Sequence, residues 1–224
     1  MEVGDADWRE RVRAGAAALS VSLSPEALER MARHGRMLLQ WNRKVNLTRI
    51  VDPDAVAVKH FVDALAPVPF LPPEARIVDI GAGGGFPGIP LATVRSGLRV
   101  TLVDSVRKKA SFMDHVVRIL ELANAEARHV RAESLAEEAG GAFDMAICRA
   151  LAELPEILRL AGPLLRPGGE VLALKGRISP EETEFLSTRE AEGFRVSVHR
   201  YALPFLGDPR ALVSLKLPGD AANG

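Results

Sequence analysis

The stretch RIVDIGAGGGFPG, residues Arg76–Gly88, decides the fold of this chain. It begins with branched apolar residues typical of a buried strand, reaches an acid at Asp79, and then places five glycines within residues 81–88. Glycine permits positive φ and lets the backbone approach another molecule closely. A loop of this kind, between a first strand and a helix, is where doubly wound sheets bind ligands. The stretch therefore predicts an α/β fold with a cofactor at the loop.

Two classes of cofactor compete for this loop. The G-x-G-x-x-G spacing of dinucleotide sites is matched by Gly83, Gly85 and Gly88, with a proline directly before the third glycine. The pattern D-x-G-x-G-x-G, which resembles S-adenosylmethionine sites, is matched at every position by Asp79, Gly81, Gly83 and Gly85. Asp104 closes the second predicted strand, where an acid binds the ribose hydroxyls in both classes, so it does not separate them.

Strand-like and helix-like segments alternate after the stretch Pro67–Pro73, whose prolines cannot continue a helix. Helices are predicted at about 88–95, 106–122 and 153–165. Further strands are predicted at Arg99–Asp104, Ala127–Glu133, Phe143–Ala150 and Glu170–Gly176. This alternation is typical of βαβ units in a parallel sheet covered on both faces.

The last two predicted strands, Phe194–Leu203 and Arg210–Leu217, are joined by a loop too short for a crossover helix, which predicts an antiparallel pair. The passage Gly162–Leu174, with its Pro-Gly-Gly turn, resembles the one before the fifth strand of many methyltransferases. We predict a Rossmann-like S-adenosylmethionine-dependent methyltransferase fold. Its mostly parallel, seven-stranded sheet with a C-terminal antiparallel hairpin occupies residues 73–224, after a helical N-terminal extension over residues 1–72. In that extension Ser24-Pro25 predicts the start of one helix, and a second helix is predicted from about Asp54.

The composition restricts the partners and the compartment. The chain has 29 basic and 29 acidic residues, but the segment Arg30–Arg49 contains six lysines and arginines and no acid. A segregated basic segment can attract a polyanion locally, although a solvated helix face is the plainer interpretation. The one cysteine, Cys148, and an N-terminus without an apolar signal segment predict a cytoplasmic protein. No apolar run reaches the roughly 18 residues of a membrane span, so we expect no membrane partner.

A more specific signal comes from seven stretches: WNRKVNLT (41–48), KHFVDAL (59–65), DIGAGGGFPGIPLA (79–92), LVDSVRKKASFM (102–113), RAESL (131–135), CRALA (148–152) and LALKG (172–176). Together they closely resemble the bacterial glucose-inhibited division protein B family. That family methylates N7 of a guanine in small-subunit (16S) ribosomal RNA. The similarity runs from about Trp41 to Lys216, and its most specific parts are GFPGIPLA and VRKKASFM.

The resemblance implies S-adenosylmethionine as the cofactor. Gly81 and Phe86 would line the methionine and adenosine pocket, and Ala132 and Glu133 would contact the adenine. The predicted cofactor-binding residues are therefore Asp79, Gly81, Gly83, Gly85, Phe86, Asp104, Ala132, Glu133 and Arg149. Two positions depart from the family: Cys148 stands where serine or alanine is usual, and the family's frequent Arg-His-Leu is here Arg210-Ala211-Leu212.

Guanine N7 carries a lone pair and no proton, so its methylation needs alignment and electrostatics rather than a general base. Arg149 and Lys175 follow the ends of the fourth and fifth predicted strands, on the ligand side of the sheet. We predict these two as the catalytic residues, in contact with guanine O6, a phosphate or the methionine carboxylate, although a loop salt bridge is the alternative for each. Cys148 could be a nucleophile only in another chemistry, and a buried structural cysteine is the commoner fate.

The predicted contacts with RNA are Arg43, Lys44, Lys59, His60, Arg107, Lys108, Lys175 and Arg210. Cations at the start of a helix oppose its macrodipole, and RNA phosphate would explain Arg107 and Lys108 there. Surface solvation is the alternative for these two cations, and packing at the domain junction is the alternative for His60.

Two other functions stay open. One is an S-adenosylmethionine-dependent methyltransferase for another RNA or a small metabolite, and the acid-free segment Arg30–Arg49 argues against the metabolite. The other is a non-catalytic RNA-binding ribosome-assembly protein, against which the intact Asp79 and Asp104 argue. The expected partner is 16S ribosomal RNA or the assembling small ribosomal subunit, and we expect no metal.

Overall fold

A mixed sheet of seven strands forms the centre of the structure, a computed structural model that describes residues 1–219. The strands are β1 Ala75–Ile80, β2 Leu98–Asp104, β3 Ala125–His129, β4 Phe143–Arg149, β5 Leu165–Lys175, β6 Arg195–Ala202 and β7 Pro209–Lys216. Their spatial order is β3-β2-β1-β4-β5-β7-β6. The first five strands run parallel, and β7 is antiparallel to both β5 and β6. The predicted fold class is confirmed.

The helices are α1 Ala6–Ala18, α2 Pro25–Val45, α3 Pro53–Val56, α4 Asp63–Leu65, α5 Gly88–Val94, α6 Arg107–Ile119, α7 Ala132–Ala139, α8 Leu154–Ala161 and α9 Pro180–Ala191. A π-helical turn, Ala57–Val62, joins α3 to α4. Short 3-10 turns cover Val68–Phe70 and Gly162–Leu164. The helices predicted to start near Pro25 and Asp54 are both present.

Local sequence explains where helix α2 begins and ends. The Ser24 side chain accepts the N–H of Ala27 at 3.1 Å, and Pro25 occupies the first helical position, where its missing N–H costs nothing. Asn46 ends the helix in the left-handed conformation, with φ at 54°. The basic residues Arg43 and Lys44 lie in the last turn, where positive charge complements the helix dipole.

Alternation along the central strands divides the apolar core between the two faces of the sheet. Ile77 and Leu102 pack with α1, α2, α5 and α6 on one face. Val78 and Val103 pack with α7, α8 and α9 on the other. Each parallel strand is thus covered on both sides, as its continuous apolar sequence requires.

The N-terminal helices share their core with the sheet. The Trp8 ring is fully buried, meets Phe61 edge to face at 5.2 Å between ring centroids, and donates its indole N–H to the Pro53 carbonyl at 3.1 Å. Phe61 in turn contacts Phe86 of the glycine loop at 5.1 Å between centroids. The division into residues 1–72 and 73–224 stays a prediction, and residues 220–224 lie outside the described part of the chain.

One predicted strand is wrong in its second half. Residues 127–133 were expected to form a strand, but β3 ends at His129 and helix α7 begins at Ala132. β3 is an edge strand with half-exposed residues, so it lacks the apolar run that would mark its bounds. Helix α9 was not predicted at all, although a capping box joins Ser179 and Glu182 at its start. The apolar residues of α9 do not recur clearly at helical spacing, so the sequence pattern did not predict this helix.

Candidate active site

The loop after β1 is closed by the side chain of Asp79. One carboxylate oxygen accepts the Gly88 N–H at 2.7 Å, whereas the other is buried without a hydrogen-bond partner among the described residues. Burial raises the pKa of Asp79 to about 7, against the effect of the Gly88 N–H. A Cβ at Gly88 would lie 2.7 Å from the same carboxylate and 2.3 Å from Leu102, so only glycine fits there.

Three glycines give the loop its backbone path. Gly81, Gly83 and Gly85 have φ values of 71°, 57° and 84°, a region that side chains disfavour. A Cβ at Gly85 would also lie 2.3 Å from Ile89 at the start of α5. The loop can therefore turn directly from β1 into α5 at the carboxyl edge of the sheet.

Asp104, the last residue of β2, joins the second strand to this loop. Its carboxylate accepts the N–H of Gly83 at 3.1 Å and the N–H of Val106 at 2.8 Å. The ammonium of Lys109 lies 3.8 Å away and brings a positive charge to this buried group. Each carboxylate oxygen keeps a second lone pair, so Asp104 can still accept hydrogen bonds from a sugar.

A pocket of about 410 Å³ opens beside Asp104. Its lining includes four of the residues predicted to bind the cofactor, namely Gly81, Asp104, Ala132 and Glu133. Asp79 holds the glycine loop through its hydrogen bond with the Gly88 N–H, and Gly83 and Gly85 shape it through their positive φ angles. None of these three lines the pocket, and neither do Phe86 and Arg149, so for all five a direct cofactor contact stays a prediction. The volume, the exposed loop backbone and the acid at the strand end fit a nucleoside cofactor.

Phe86 lies instead in a stack of three aromatic rings. The His34 and His60 imidazoles cover its two faces at 4.7 and 4.8 Å between centroids, each tilted by 14°. His34 Nε2 hydrogen-bonds the Gly84 carbonyl at 2.8 Å, which ties helix α2 to the glycine loop. Burial lowers the pKa of His34 to about 4 and that of His60 to about 3, so both rings are neutral.

A second pocket, of about 520 Å³, lies next to the first. The two share Ala150, which follows β4 and has a positive φ of 51°. The lining of the second pocket includes Asp63 and Arg177, which the sequence analysis did not single out. It also includes five predicted site residues, namely Lys59, His60, Arg149, Lys175 and Arg210. The predicted catalytic pair, Arg149 and Lys175, and three further predicted RNA contacts thus line one cavity.

Arg149 is held by the N-terminal helical segment. Its Nη1 donates to the Lys59 carbonyl at 2.8 Å and lies 3.4 Å from the carboxylate of Asp63. Its Nη2 donates to His60 Nδ1 at 3.2 Å, so His60 Nε2 carries the proton and donates to the Thr48 hydroxyl at 2.8 Å. Burial lowers the pKa of Arg149, and the Asp63 carboxylate opposes this shift.

The other cations of the second pocket are paired with acids, with one exception. Lys175 lies 2.8 Å from Glu182, which is buried, and 3.6 Å from Glu153. Lys59 lies 3.7 Å from Asp208, and Arg210 lies 3.2 Å from Asp63 and 3.8 Å from Asp208. Only Arg177 pairs with no acid among the residues that the structure describes.

The remaining predicted RNA contacts lie outside this pocket. Arg43 and Lys44 are exposed at the end of α2. Arg107 and Lys108 are exposed in the first turn of α6, close to Asp104. The Asn42 side chain links the end of α2 to Thr48, accepting its N–H at 2.8 Å and donating to its carbonyl at 2.9 Å. Whether these cations contact RNA stays a prediction.

Asp63 is the member of the site that the sequence analysis missed most clearly. It belongs to KHFVDAL, one of the stretches on which the resemblance rests, and it is an acid within a helical segment whose neighbours are buried. A buried carboxylate requires a partner, and that requirement was the available signal. Across residues 1–219, no group of histidine, cysteine and acidic side chains is arranged to hold a metal ion. No helix in this range is long and apolar enough to cross a membrane.

Residues 27–211 match the family model described as rRNA small subunit methyltransferase G. The chain belongs to this family. Curated relatives agree: ribosomal RNA small subunit methyltransferase G from Geobacter sp. (strain M21) is 41% identical over 207 residues, covering 92% of this chain and 95% of the relative. The protein of the same name from Myxococcus xanthus is 40% identical over 209 residues, with 92% and 95% covered. The predicted family is confirmed.

Solved structures share the fold at low sequence identity. A SAM dependent methyltransferase from Aquifex aeolicus superposes with a TM-score of 0.58 at 18% identity, covering 77% of this chain and 97% of that one. A Burkholderia thailandensis 1,6-didemethyltoxoflavin-N1-methyltransferase, solved with S-adenosylhomocysteine, also has a TM-score of 0.58 at 18% identity. The superposition covers 83% of this chain and 89% of the Burkholderia chain. These likenesses confirm the methyltransferase fold of the family member described here.

Proposed function

We propose that the protein transfers a methyl group from S-adenosylmethionine to N7 of a guanine in small-subunit (16S) ribosomal RNA. One observation carries the proposal: the nucleoside-sized pocket beside Asp104 meets a second pocket, lined by cations, at Ala150. Membership in the small-subunit RNA methyltransferase family supports RNA as the substrate.

The first pocket would hold the cofactor. Asp104 would accept hydrogen bonds from the ribose hydroxyls. The backbone at Gly81 would lie along the methionine part of the cofactor, and Ala132 and Glu133 would contact the adenine. When bound, S-adenosylmethionine supplies an electrophilic methyl group attached to a positively charged sulfur. The glycine loop would hold the methionine part and so orient the methyl group toward the second pocket, which is the proximity contribution to catalysis.

The second pocket would hold the guanine. His60 accepts a hydrogen bond at one ring nitrogen and donates at the other, and Asp63 faces two guanidinium groups. Neither group is therefore available as a general base, and guanine N7 requires none because it carries no proton. Arg149 and Lys175 contribute positive charge to the wall, where the electronegative O6 edge of guanine can be oriented. A base reaches such a pocket from a loop or after extrusion from a stack.

A methylation assay tests the proposal. Small-subunit RNA lacking the modification, both free and as an assembling subunit particle, is incubated with labelled S-adenosylmethionine. We expect label on one guanine, located by chain cleavage at N7-methylguanine. The same RNA carrying 7-deazaguanosine at that position has no N7 and is the matched control, which we expect to stay unlabelled. Transfer to a small metabolite, to another RNA only, or to none would reject the proposal in favour of the two alternative functions.

A further inference from the structure

Asp63 lies where the N-terminal helical segment meets the carboxyl edge of the sheet. It is the first residue of α4 and is only 5% exposed. Three donors from three strands converge on its carboxylate: Arg149 Nη1 at 3.4 Å, Arg210 Nε at 3.2 Å and the Tyr201 hydroxyl at 3.2 Å. Two of these donors, Arg149 and Arg210, line the second pocket together with Asp63 itself.

The two guanidinium groups depend on Asp63 for their placement. Both carry a fixed positive charge, and in a buried setting like charges repel strongly unless an acid lies between them. Without Asp63, Arg149 would keep two neutral partners, the Lys59 carbonyl and His60 Nδ1. Arg210 would keep the carbonyl of its neighbour Pro209 and the half-exposed Asp208, which lies 3.8 Å away. None of these contacts joins one guanidinium to the other.

Charge is the second contribution. Methylation of N7 moves a positive charge from the sulfur of the cofactor to the base. A pocket walled by Arg149, Arg210 and Lys175 opposes that movement unless acids offset the cations. Lys175 is already paired with Glu182, and Asp63 is the buried acid that faces the two arginines.

We infer that Asp63 is the positioning residue of the second pocket, where its carboxylate fixes Arg149 and Arg210 against each other and offsets their charge during methyl transfer. This inference rests on the proposed function, because the second pocket is taken to hold the guanine. A purely structural role, tying α4 to β6 and β7, is the competing explanation. The two differ in kinetics: a positioning residue changes kcat in molecules that are fully folded.

The experiment compares Asp63→Asn with wild type in methylation of small-subunit RNA. We expect kcat to fall by about 10- to 100-fold, the effect of a small misplacement near a reacting group. The KM for RNA should stay the same or decrease, because the variant carries one more net positive charge. Asp63→Glu, which keeps the charge on a longer side chain, should recover part of the lost kcat. Calorimetric titration with S-adenosylhomocysteine should give wild-type affinity for both variants.

Asp144→Asn is the matched control. Asp144 accepts the Arg76 N–H at 2.7 Å and pairs with Arg166 at 2.6 Å near the start of β4, at the opposite end from Arg149. The variant therefore removes one paired acid and leaves the second pocket unchanged. We expect its folded fraction to have the wild-type kcat. Thermal unfolding of each variant measures that fraction.

Wild-type kcat in Asp63→Asn would overturn the inference, and so would a kcat loss that only follows the folded fraction. If Asp63→Asn cannot be purified, the inference is tested with Tyr201→Phe. This variant removes the one hydrogen bond from the Tyr201 hydroxyl to Asp63 and keeps the aromatic ring. We then expect a kcat loss of about two- to tenfold at unchanged RNA KM, and wild-type kcat would overturn the inference. Failure of wild type to methylate any RNA would instead count against the proposed function.

Discussion

The carboxylate of Asp104 accepts the backbone N–H of Gly83 at 3.1 Å. The end of β2 and the glycine loop after β1 are therefore joined by one side chain, which also caps the N–H of Val106 at 2.8 Å. The acid at the second strand and the glycine motif, which are distant in the sequence, form a single wall of the pocket that we assign to the cofactor.

Asp104→Ala should weaken the binding of S-adenosylhomocysteine by about 1.5–3 kcal/mol, the usual contribution of hydrogen bonds to a charged group. Calorimetric titration measures this loss. Asp114→Ala, which removes an exposed acid from the neighbouring helix α6, is the control and should bind with wild-type affinity. Equal affinities for all three proteins would refute the assignment of Asp104 to the ribose.

Asp79→Asn should change the pH dependence of stability. Burial raises the pKa of Asp79 from 3.8 to about 7, so the folded protein keeps a proton that the unfolded chain loses. Stability is therefore lost as the pH rises from about 4 to 7, at up to about 1.4 kcal/mol per pH unit. Asparagine carries no charge and can still accept the Gly88 N–H. The stability of the variant relative to wild type should therefore increase as the pH rises from about 4 to 7 and stay level above that.

Denaturant unfolding at several pH values checks this sign. The two buried histidines, His34 and His60, destabilise the fold as the pH falls below 6.5, but they are common to both proteins and cancel in the difference. Asp144→Asn is a control for which the pH dependence of stability should have the opposite sign. The Arg76 N–H and Arg166 lower the pKa of Asp144, so its removal should cost more stability above pH 4 than below. A pH-independent difference for Asp79→Asn would contradict the prediction.

Cys148→Ser should retain most of the methyl transfer activity. The Cys148 side chain is buried in the core, and burial raises the pKa of its thiol to about 12, so the nucleophilic thiolate is absent at neutral pH. Methylation of N7 also needs no covalent intermediate. The buried hydroxyl should lower the free energy of unfolding by about 1–3 kcal/mol. Loss of activity in folded Cys148→Ser, with a trapped protein–RNA adduct, would exclude N7 chemistry.

Lys175 is the last residue of β5 and Arg177 lies two residues beyond it, but replacing them should have different effects. Removing the ammonium of Lys175 leaves the buried Glu182 without its ion pair, so Lys175→Ala should lower stability by about 3–5 kcal/mol. Arg177 is exposed, lines the second pocket, and pairs with no acid among the described residues. Arg177→Ala should leave stability unchanged and weaken RNA binding, as measured by filter binding beside thermal unfolding. The prediction fails if Arg177→Ala binds RNA as wild type does.

The fold could be predicted because its signals are local. The glycine loop, the apolar strands and the Ser24–Pro25 helix start each depend on neighbouring residues, and all three are present in the structure. Weak local patterns failed, as at α9 and the end of β3. The places of Gly81 and Asp104 beside the first pocket could be predicted because their spacing relative to the strands is fixed by the fold. Their contact with the cofactor stays a prediction.

The second pocket was harder to predict because its chemistry depends on pairs of distant residues. Lys175 and Arg149 were correctly placed at strand ends, but their acids come from α9 and α4. A sequence gives the position of a cation and not its partner. For the same reason the stacking of Phe86 between His34 and His60 had no signal in the sequence.

The last prediction concerns the exposed cations at the end of α2, Arg43 and Lys44. If they contact RNA phosphates, replacing both by alanine should weaken RNA binding and leave the affinity for S-adenosylhomocysteine unchanged. Each lost phosphate contact should flatten the dependence of log K on log salt by about 0.7 for single-stranded RNA, so two contacts should flatten it by about 1.4. Their location supports this role, because Asn42 links the end of α2 to Thr48 beside His60.

RNA affinity across a salt series measures both quantities. The control is the double replacement of Arg195 and Lys216, two exposed cations opposite each other at the far end of β6 and β7 from Lys175. It removes the same charge from a surface away from both pockets. If the two cations acted only through the net charge of the protein, both double variants should lose the same RNA affinity, because each lowers the net charge by two. Phosphate contacts at Arg43 and Lys44 predict a reduced salt slope for that pair only.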